Sequence, residues 1–225
     1  MFAKTFLFNE DPMTATDKIP GGFFDMVLTR LPSIQETEHW NSPIPLNDYV
    51  ELKKERYERD NFFKLMYVSG ATALQTRVLW DDLHQEGLWK KIKKILKPDG
   101  TVIILSSGQN TMTVEKNNQF PLRNIHNWHK ANNPKEVDEI EKILVFSLFT
   151  PCEKTKSPLP QELMYPAEYR NIGKENGKLP VILCKRLIET YTLPGQRILD
   201  INMTDDSFLK ACRNTGRHFT GIKRK

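Results

Sequence analysis

The sequence predicts an α/β protein in which buried parallel strands alternate with helices. Three observations carry that expectation. Phe24-Asp25-Met26-Val27-Leu28-Thr29 and Thr101-Val102-Ile103-Ile104-Leu105 are short, nearly continuous apolar runs, as strands buried on both faces require. Amphipathic helical patterns alternate with such runs along the chain. Turn signals, namely Pro20-Gly21-Gly22, Pro98-Asp99-Gly100 and Pro194-Gly195, separate one kind of element from the next.

In chain order, the N-terminal Met1–Asn9 segment reads as a short strand, without the charged start and apolar core of a signal peptide. Phe24–Thr29 is a buried parallel strand. Residues 33–60 are polar, and their charged run Glu51-Leu52-Lys53-Lys54-Glu55-Arg56 reads as a solvated helix face. Leu88–Lys97 is an amphipathic helix with Leu88, Ile92 and Ile95 or Leu96 inward and lysines outward. Pro98-Asp99-Gly100 is expected to stop it ahead of the central strand Thr101–Leu105. Helix, turn and strand together form a candidate for a right-handed crossover. Residues 106–136 are polar and aromatic, Ile143–Ser147 is a strand, and residues 150–180 are rich in loops. Val181–Tyr191 is helical, Ile198-Leu199-Asp200 begins a strand, and a helix around 206–213 leads to a last strand, His218–Ile222.

The 225 residues suit a single domain, one that buries about 70% of its unfolded surface. Hydrophobic content of 39% and charged content of 27% are ordinary for a globular protein. No apolar run approaches the roughly 20 residues needed to cross a bilayer, so a cytoplasmic protein is expected. The three cysteines, Cys152, Cys184 and Cys212, are far apart and form no CxxC pair, which indicates neither a metal site nor a disulfide framework. Cys184 and Cys212 fall in helical patterns as small core residues. A net charge of +5 permits nucleic-acid association without establishing it.

Five segments, in order, resemble the β-class of amino DNA methyltransferases, the N6-adenine and N4-cytosine enzymes. Asp17–Thr29 is similar to the approach to that family's catalytic tetrapeptide. Trp89–Leu105 is similar to its helix, Leu-Lys-Pro-Asp-Gly turn and strand, and Glu141–Phe146 to the strand after its recognition region. Leu187–Gly195 resembles the approach to the cofactor loop, and Asn214–Ile222 the strand that follows. The resemblance covers nearly the whole chain. It implies a Rossmann-like S-adenosylmethionine-dependent methyltransferase fold, a mixed, mostly parallel sheet flanked by helices, with the permuted β-class motif order. It also implies one domain over 1–225 containing a target-recognition-like insertion over 108–180.

Where the family's chemistry resides, this chain departs from it. An amino methyltransferase orients the exocyclic nitrogen of a flipped base with an Asp/Asn-Pro-Pro-Tyr/Phe tetrapeptide. The matching positions here are Arg30, Leu31, Pro32 and Ser33. Arg30 donates only and cannot accept from an amine, and Ser33 offers no stacking face. The family's glycine-rich cofactor loop corresponds to Asp200-Ile201-Asn202-Met203-Thr204-Asp205-Asp206. Thr204 and Asp206 replace its glycines, and a β-branched threonine suits a positive φ poorly. Asp205 and Asp206 either place negative charge beside the cofactor's carboxylate or cap the helix that follows. The acidic residue that receives the ribose hydroxyls in the family is here Lys223, a donor. Asp200 and Met203 match the motif as vestiges.

The resemblance therefore implies a degenerate, catalytically inactive member with no metal and with S-adenosylmethionine binding lost. Phages and mobile elements are plausible sources of such a copy. Its expected roles are a DNA-binding or accessory subunit, or a module that dimerises with itself or with an active methyltransferase. Retained catalysis is the least favoured outcome. Candidate DNA contacts are Lys90, Lys91 and Lys94 on the helix, and Arg123, His126, Trp128, His129 and Lys130 in the recognition-like region. For the lysines the alternative is a solvated helix face, and for Trp128 an anchor in the core.

Overall fold

The strands of the computed structural model are β1 Thr5–Phe8, β2 Phe24–Arg30, β3 Leu96–Ser106, β4 Leu122–His129, β5 Ile140–Ser147, β6 Glu162–Met164, β7 Arg197–Asp200 and β8 His218–Ile222. The helices are α1 Pro12–Asp17, α2 over residues 87–95, α3 Val181–Tyr191 and α4 Ser207–Asn214. The structure describes residues 3–30, 87–106, 119–130, 140–149, 153–155, 158–166 and 178–223. Contacts separate Ile34–Gly87 from the remainder of the chain, and the sheet belongs to that remainder.

Among the described residues, eight strands join one sheet in the order β1-β8-β7-β2-β3-β5-β4-β6. Of these, β5 runs against the others; it is antiparallel to both β3 and β4, whereas the remaining neighbours pair in parallel. The core lies on both faces. On one face Met26, Leu28, Ile103, Leu105, Ile143 and Trp128 pack with Leu183, Leu187 and Ile188 of α3 and with Phe208 and Ala211 of α4. On the other, Val27, Val102, Ile104, Leu144 and Phe146 pack with Trp89, Ile92 and Ile95 of α2 and Ala15 of α1. Burial on both faces is why β2 and β3 read as continuous apolar runs rather than as alternation.

The Rossmann-like, mostly parallel α/β architecture is as expected, and α3 and β8 have the anticipated bounds. Several local expectations change. The lysine-rich helix ends at residue 95, not at the Pro-Asp-Gly turn, because β3 already starts at Leu96. Phe24 faces Leu96 while Met26 faces Thr101, so Lys97–Gly100 bulge out within the strand. The bulge carries Lys97 Nζ to 2.6 Å from the Asp25 carboxylate, which also accepts from Gln196 Nε2 at 3.0 Å and the Arg197 amide at 2.9 Å. One buried acid thus ties β2 to β3 and β7 at their amino ends. Two strands and a helix stand where no element was expected: β4 within 106–136, β6 within 150–180, and the six-residue α1. β4 was hidden because His126 within it and Lys130 just beyond it are buried, so polarity does not alternate with burial. The charged run at 51–56 lies outside the described residues.

The turn from α4 into β8 uses Gly216 at φ +70°, and its carbonyl accepts from the Gly195 amide at 2.8 Å. No atom crowds a Cβ there, so Gly216→Ala isolates the backbone term. We expect it to lower unfolding free energy by about 1–2 kcal/mol, measured by urea denaturation.

Candidate active-site crevice

Chain order places a topological switch between β7 and β2. From β2 the chain moves to β3 on one side, and from β7 it moves to β8 on the other. In open α/β sheets, ligands bind outside the carboxyl ends of the strands at such a point. Here those ends carry Arg30 and Asp200.

Asp200 is buried and accepts from Thr29 Oγ1 at 2.9 Å and from the Asn202 amide at 3.2 Å. Asn202 Nδ2 in turn donates to the Arg30 carbonyl at 3.2 Å. These bonds bridge β7 and β2 across the mouth of the crevice. The following loop folds back on β8: the Met203 amide donates to the Ile222 carbonyl at 2.9 Å. A Cβ on Gly221 would lie 2.7 Å from the Met203 sulfur, so the bare glycine gives the Met203 side chain room against β8. No non-glycine residue among the described ones has a positive φ, and Thr204, Asp205 and Asp206 conform to that.

The two aspartates of the loop divide the work that was anticipated for either. Asp205 Oδ1 accepts from the Ser207 amide at 2.6 Å, at the start of α4. Asp206 occupies the N-cap position, but its side chain makes no capping bond. It pairs instead with Lys178 and, at 2.8 Å, with Lys210. The hydrogen bond from Lys178, with that from Lys210, holds the Asp206 carboxyl well below the usual carboxylate range. Capping by Asp205 follows from helix polarity, while the second acid is drawn aside by two lysines.

Arg30 turns into the protein. Its guanidinium donates to both Glu141 oxygens, with Nε 3.1 Å from Oε2, and Lys130 Nζ lies 2.7 Å from Glu141 Oε1. Burial would raise the Glu141 carboxyl, but the charges and hydrogen bonds of Arg30 and Lys130 outweigh it and hold it below its ordinary range. The Arg30 and Lys130 cations stand 5.8 Å and 5.6 Å from the Trp128 ring centroid. A chain of buried charge therefore runs across the carboxyl edge from β2 over β3 to β5 and the end of β4.

The other sequence candidates fall as follows. Leu31, Pro32 and Ser33 lie outside the described residues. Trp128 is fully buried, and its indole nitrogen donates to the Tyr165 carbonyl at 2.6 Å, so it is the core anchor and presents no stacking face. His126 is buried with Nδ1 2.8 Å from the Pro160 carbonyl, and Lys130 is buried on Glu141. Arg123 donates to the Ser147 and Leu148 carbonyls. His129 pairs with Glu162. Lys91 holds the Met13 carbonyl and Asp17, while Lys90 and Lys94 are exposed on α2, and so is Lys223 after β8. Cys184 and Cys212 are buried, and burial pushes both thiols up. Among the described residues no cluster has the makings of a metal site. No helix of the described residues is long and apolar enough to cross a membrane.

Sequence reasoning missed Glu141, Thr29 and Asn202. Glu141 opens a segment already singled out as a strand, but its partners come from β2 and β4, and no local pattern in the sequence joins the three. Asn202 carries no motif signal of its own.

Sheet order, switch point and flanking helices together define a Rossmann-like α/β scaffold, a fold found in solved methyltransferases. Solved structures that share it include PvuII DNA methyltransferase (cytosine-N4-specific), 13% identical with a TM-score of 0.65 over 100% of this chain and 83% of that one. A second is TTHA0409 from Thermus thermophilus, described as a DNA modification methylase and solved with S-adenosyl-L-methionine. It is 19% identical with a TM-score of 0.58, over 99% of this chain and 90% of that one. M1.HpyAVI is 13% identical with a TM-score of 0.56, over 98% and 92%. No protein-family model and no curated protein matches the chain. At these identities the likeness is one of fold, and function must be argued from the site.

At the crevice Asn202 and Thr29 bond across the two strand ends, the loop Asp200–Asp206 contains no glycine, and Lys223, at the position the resemblance gives to a ribose acceptor, is a donor.

Burial, opposed by the hydrogen bonds from Thr29 and the Asn202 amide, raises the Asp200 carboxyl from 3.8 to about 7. The folded state therefore holds this proton more tightly than the unfolded chain. Stability from this group is complete below about pH 4 and is lost as pH rises to about 7, by about 4 kcal/mol. Asp200→Asn should flatten that part of the stability-pH curve, making the variant the more stable at pH 8 but not at pH 4. Parallel wild-type and variant curves would refute the assignment. For the ion chain, Glu141→Leu alone should cost about 3–5 kcal/mol, because it leaves the Arg30 and Lys130 charges buried. The triple change Arg30→Met, Lys130→Met, Glu141→Leu should cost less than that single change, by the same denaturation measurement.

Proposed function

We propose that this chain is a catalytically inactive methyltransferase-like protein that acts as a DNA-binding or accessory subunit. The observation that carries the reading is the bridged crevice. Asn202 holds the Arg30 carbonyl, Thr29 holds Asp200, and Arg30 itself is committed to Glu141. The position where the resemblance expects an acceptor for the target amine is a buried cation engaged elsewhere. The same contacts support the loss of S-adenosylmethionine binding that this reading includes.

DNA is the partner favoured by the fold and by the net charge of +5. His126, Trp128 and Lys130 are turned inward, so the contact surface in this proposal is the exposed lysine face of α2, Lys90, Lys93 and Lys94. Residues 108–180 remain a recognition-like insertion that shapes the rest of the footprint. A cytoplasmic location goes with this role. The second reading, a protein-interaction module that pairs with itself or restrains an active methyltransferase, is favoured by Ile140 and Met164, which stand exposed on the sheet.

Duplex binding measured by fluorescence anisotropy across salt concentrations tests the first reading. Log K should fall linearly with log salt, and the double change Lys90→Glu, Lys94→Glu should weaken binding by about tenfold or more. Transfer of labelled methyl from S-adenosylmethionine to DNA should stay at background. A salt-independent affinity, or labelled DNA, would contradict the proposal.

A further inference from the structure

Among the described residues β1 stands at one end of the sheet, with β8 as its neighbour. The Lys4 and Phe8 carbonyls accept from the Phe219 and Lys223 amides at 2.9 and 2.8 Å. Backbone groups of successive strand residues point to opposite edges, so residues 4, 6 and 8 are committed to β8. Thr5 and Leu7 turn their amides and carbonyls outward, where no described residue takes them. The strand itself is well anchored. The Lys4 amide donates to His218 Nδ1 at 2.9 Å, and the register with β8 is unbroken from Thr5 to Phe8. In the middle of β1, Phe6 is 57% exposed on one face and Leu7 55% on the other.

Both ends of this edge carry a cation. Lys4 precedes the strand, and Lys223 is bonded through its amide to Phe8 at the far end; both residues are exposed. The acids that follow β1 are engaged elsewhere: Glu10 pairs with Lys18 at 2.6 Å, and Asp11 accepts from the Met13 amide at 2.8 Å. Within β1 there is no proline, bulge or charge of the kind that blunts an edge strand. The edge therefore offers unpaired backbone between apolar side chains, with positive charge at either end. A second copy of β1 running antiparallel would set Lys4 against Lys223, cation on cation, at both ends.

We propose that the outer edge of β1 receives an extended segment of another protein, apolar in its middle and acidic at both ends, as an added strand. Backbone bonds to Thr5 and Leu7 hold the segment, and Phe6 and Leu7 take its apolar side chains on the two faces. Its acids, about 13 Å apart over four residues, meet Lys4 and Lys223. The assignment rests on the edge alone, so DNA binding or cofactor binding elsewhere leaves it unchanged.

Amide NMR of the full chain at low salt, titrated with the end-blocked peptide Glu-Glu-Val-Thr-Val-Glu-Glu, tests it. Shifts should centre on Thr5 and Leu7, with a dissociation constant of about 0.1–1 mM. The same peptide with lysine for every glutamate should bind about tenfold or more weakly. Methylating the three central peptide amides should abolish binding without changing its charge. The double change Lys4→Glu, Lys223→Glu should reverse the preference, rejecting the acidic peptide and admitting the basic one. No shifts in β1 at millimolar acidic peptide would overturn the proposal, as would equal binding of the basic or methylated peptide. So would protection of the Thr5 and Leu7 amides from exchange that grows with protein concentration alone, the mark of a second copy on the edge.

Discussion

Glu141 is a carboxylate with 2% of its surface exposed, and it stands only because Arg30 and Lys130 close on it from two other strands. An unpaired charge at that depth would be prohibitive, so the three residues are held as a unit. Their positions on β2, on β5 and just beyond β4 fix how the antiparallel part of the sheet meets the parallel part. The rest of the carboxyl edge is arranged around this constraint. Arg30 is drawn away from the crevice, its carbonyl is left to Asn202, and Asn202 in turn positions the loop after β7.

In the proposed reading the crevice is a seam rather than a ligand site. A dinucleotide or nucleoside ligand at a switch point needs backbone that approaches closely and polar groups that are not already engaged. Here Asp200 is taken by Thr29 and the Asn202 amide, Met203 lies on Gly221, and Asp206 is held between Lys178 and Lys210. The polar groups among these are thus engaged within the protein. The scaffold keeps its fold because the core on both faces, from Met26 and Leu28 to Val102 and Phe146, does not depend on the seam.

Much of the fold was legible because it is written in local patterns. The runs at β2 and β3 and the amphipathic faces of α2 and α3 declare themselves within a dozen residues. Arg30 and the loop from Asp200 to Asp206, which the structure places at the carboxyl ends of β2 and β7, were already singled out by their departure from the family pattern they resemble. What lay beyond reach was pairing across the sheet. Nothing near Arg30 indicates that its charge is answered by a residue on β5. Nothing near Trp128 indicates that it faces inward beside Lys130, and the same blindness made basic and aromatic residues of β4 look like a nucleic-acid surface. The bulge at Lys97–Gly100 was missed for a related reason: a Pro-Asp-Gly sequence marks a turn, but only the Asp25 carboxylate on the neighbouring strand explains why the turn is absorbed into β3.

The most direct test of the seam is a crystal structure grown in saturating S-adenosylmethionine. The expected result is an unbroken bridge, with Asn202 Nδ2 on the Arg30 carbonyl, Thr29 on Asp200, and no cofactor density between the carboxyl ends of β7 and β2. Cofactor seated there, with the Asn202 bond broken and the loop lifted from Gly221, would contradict the account.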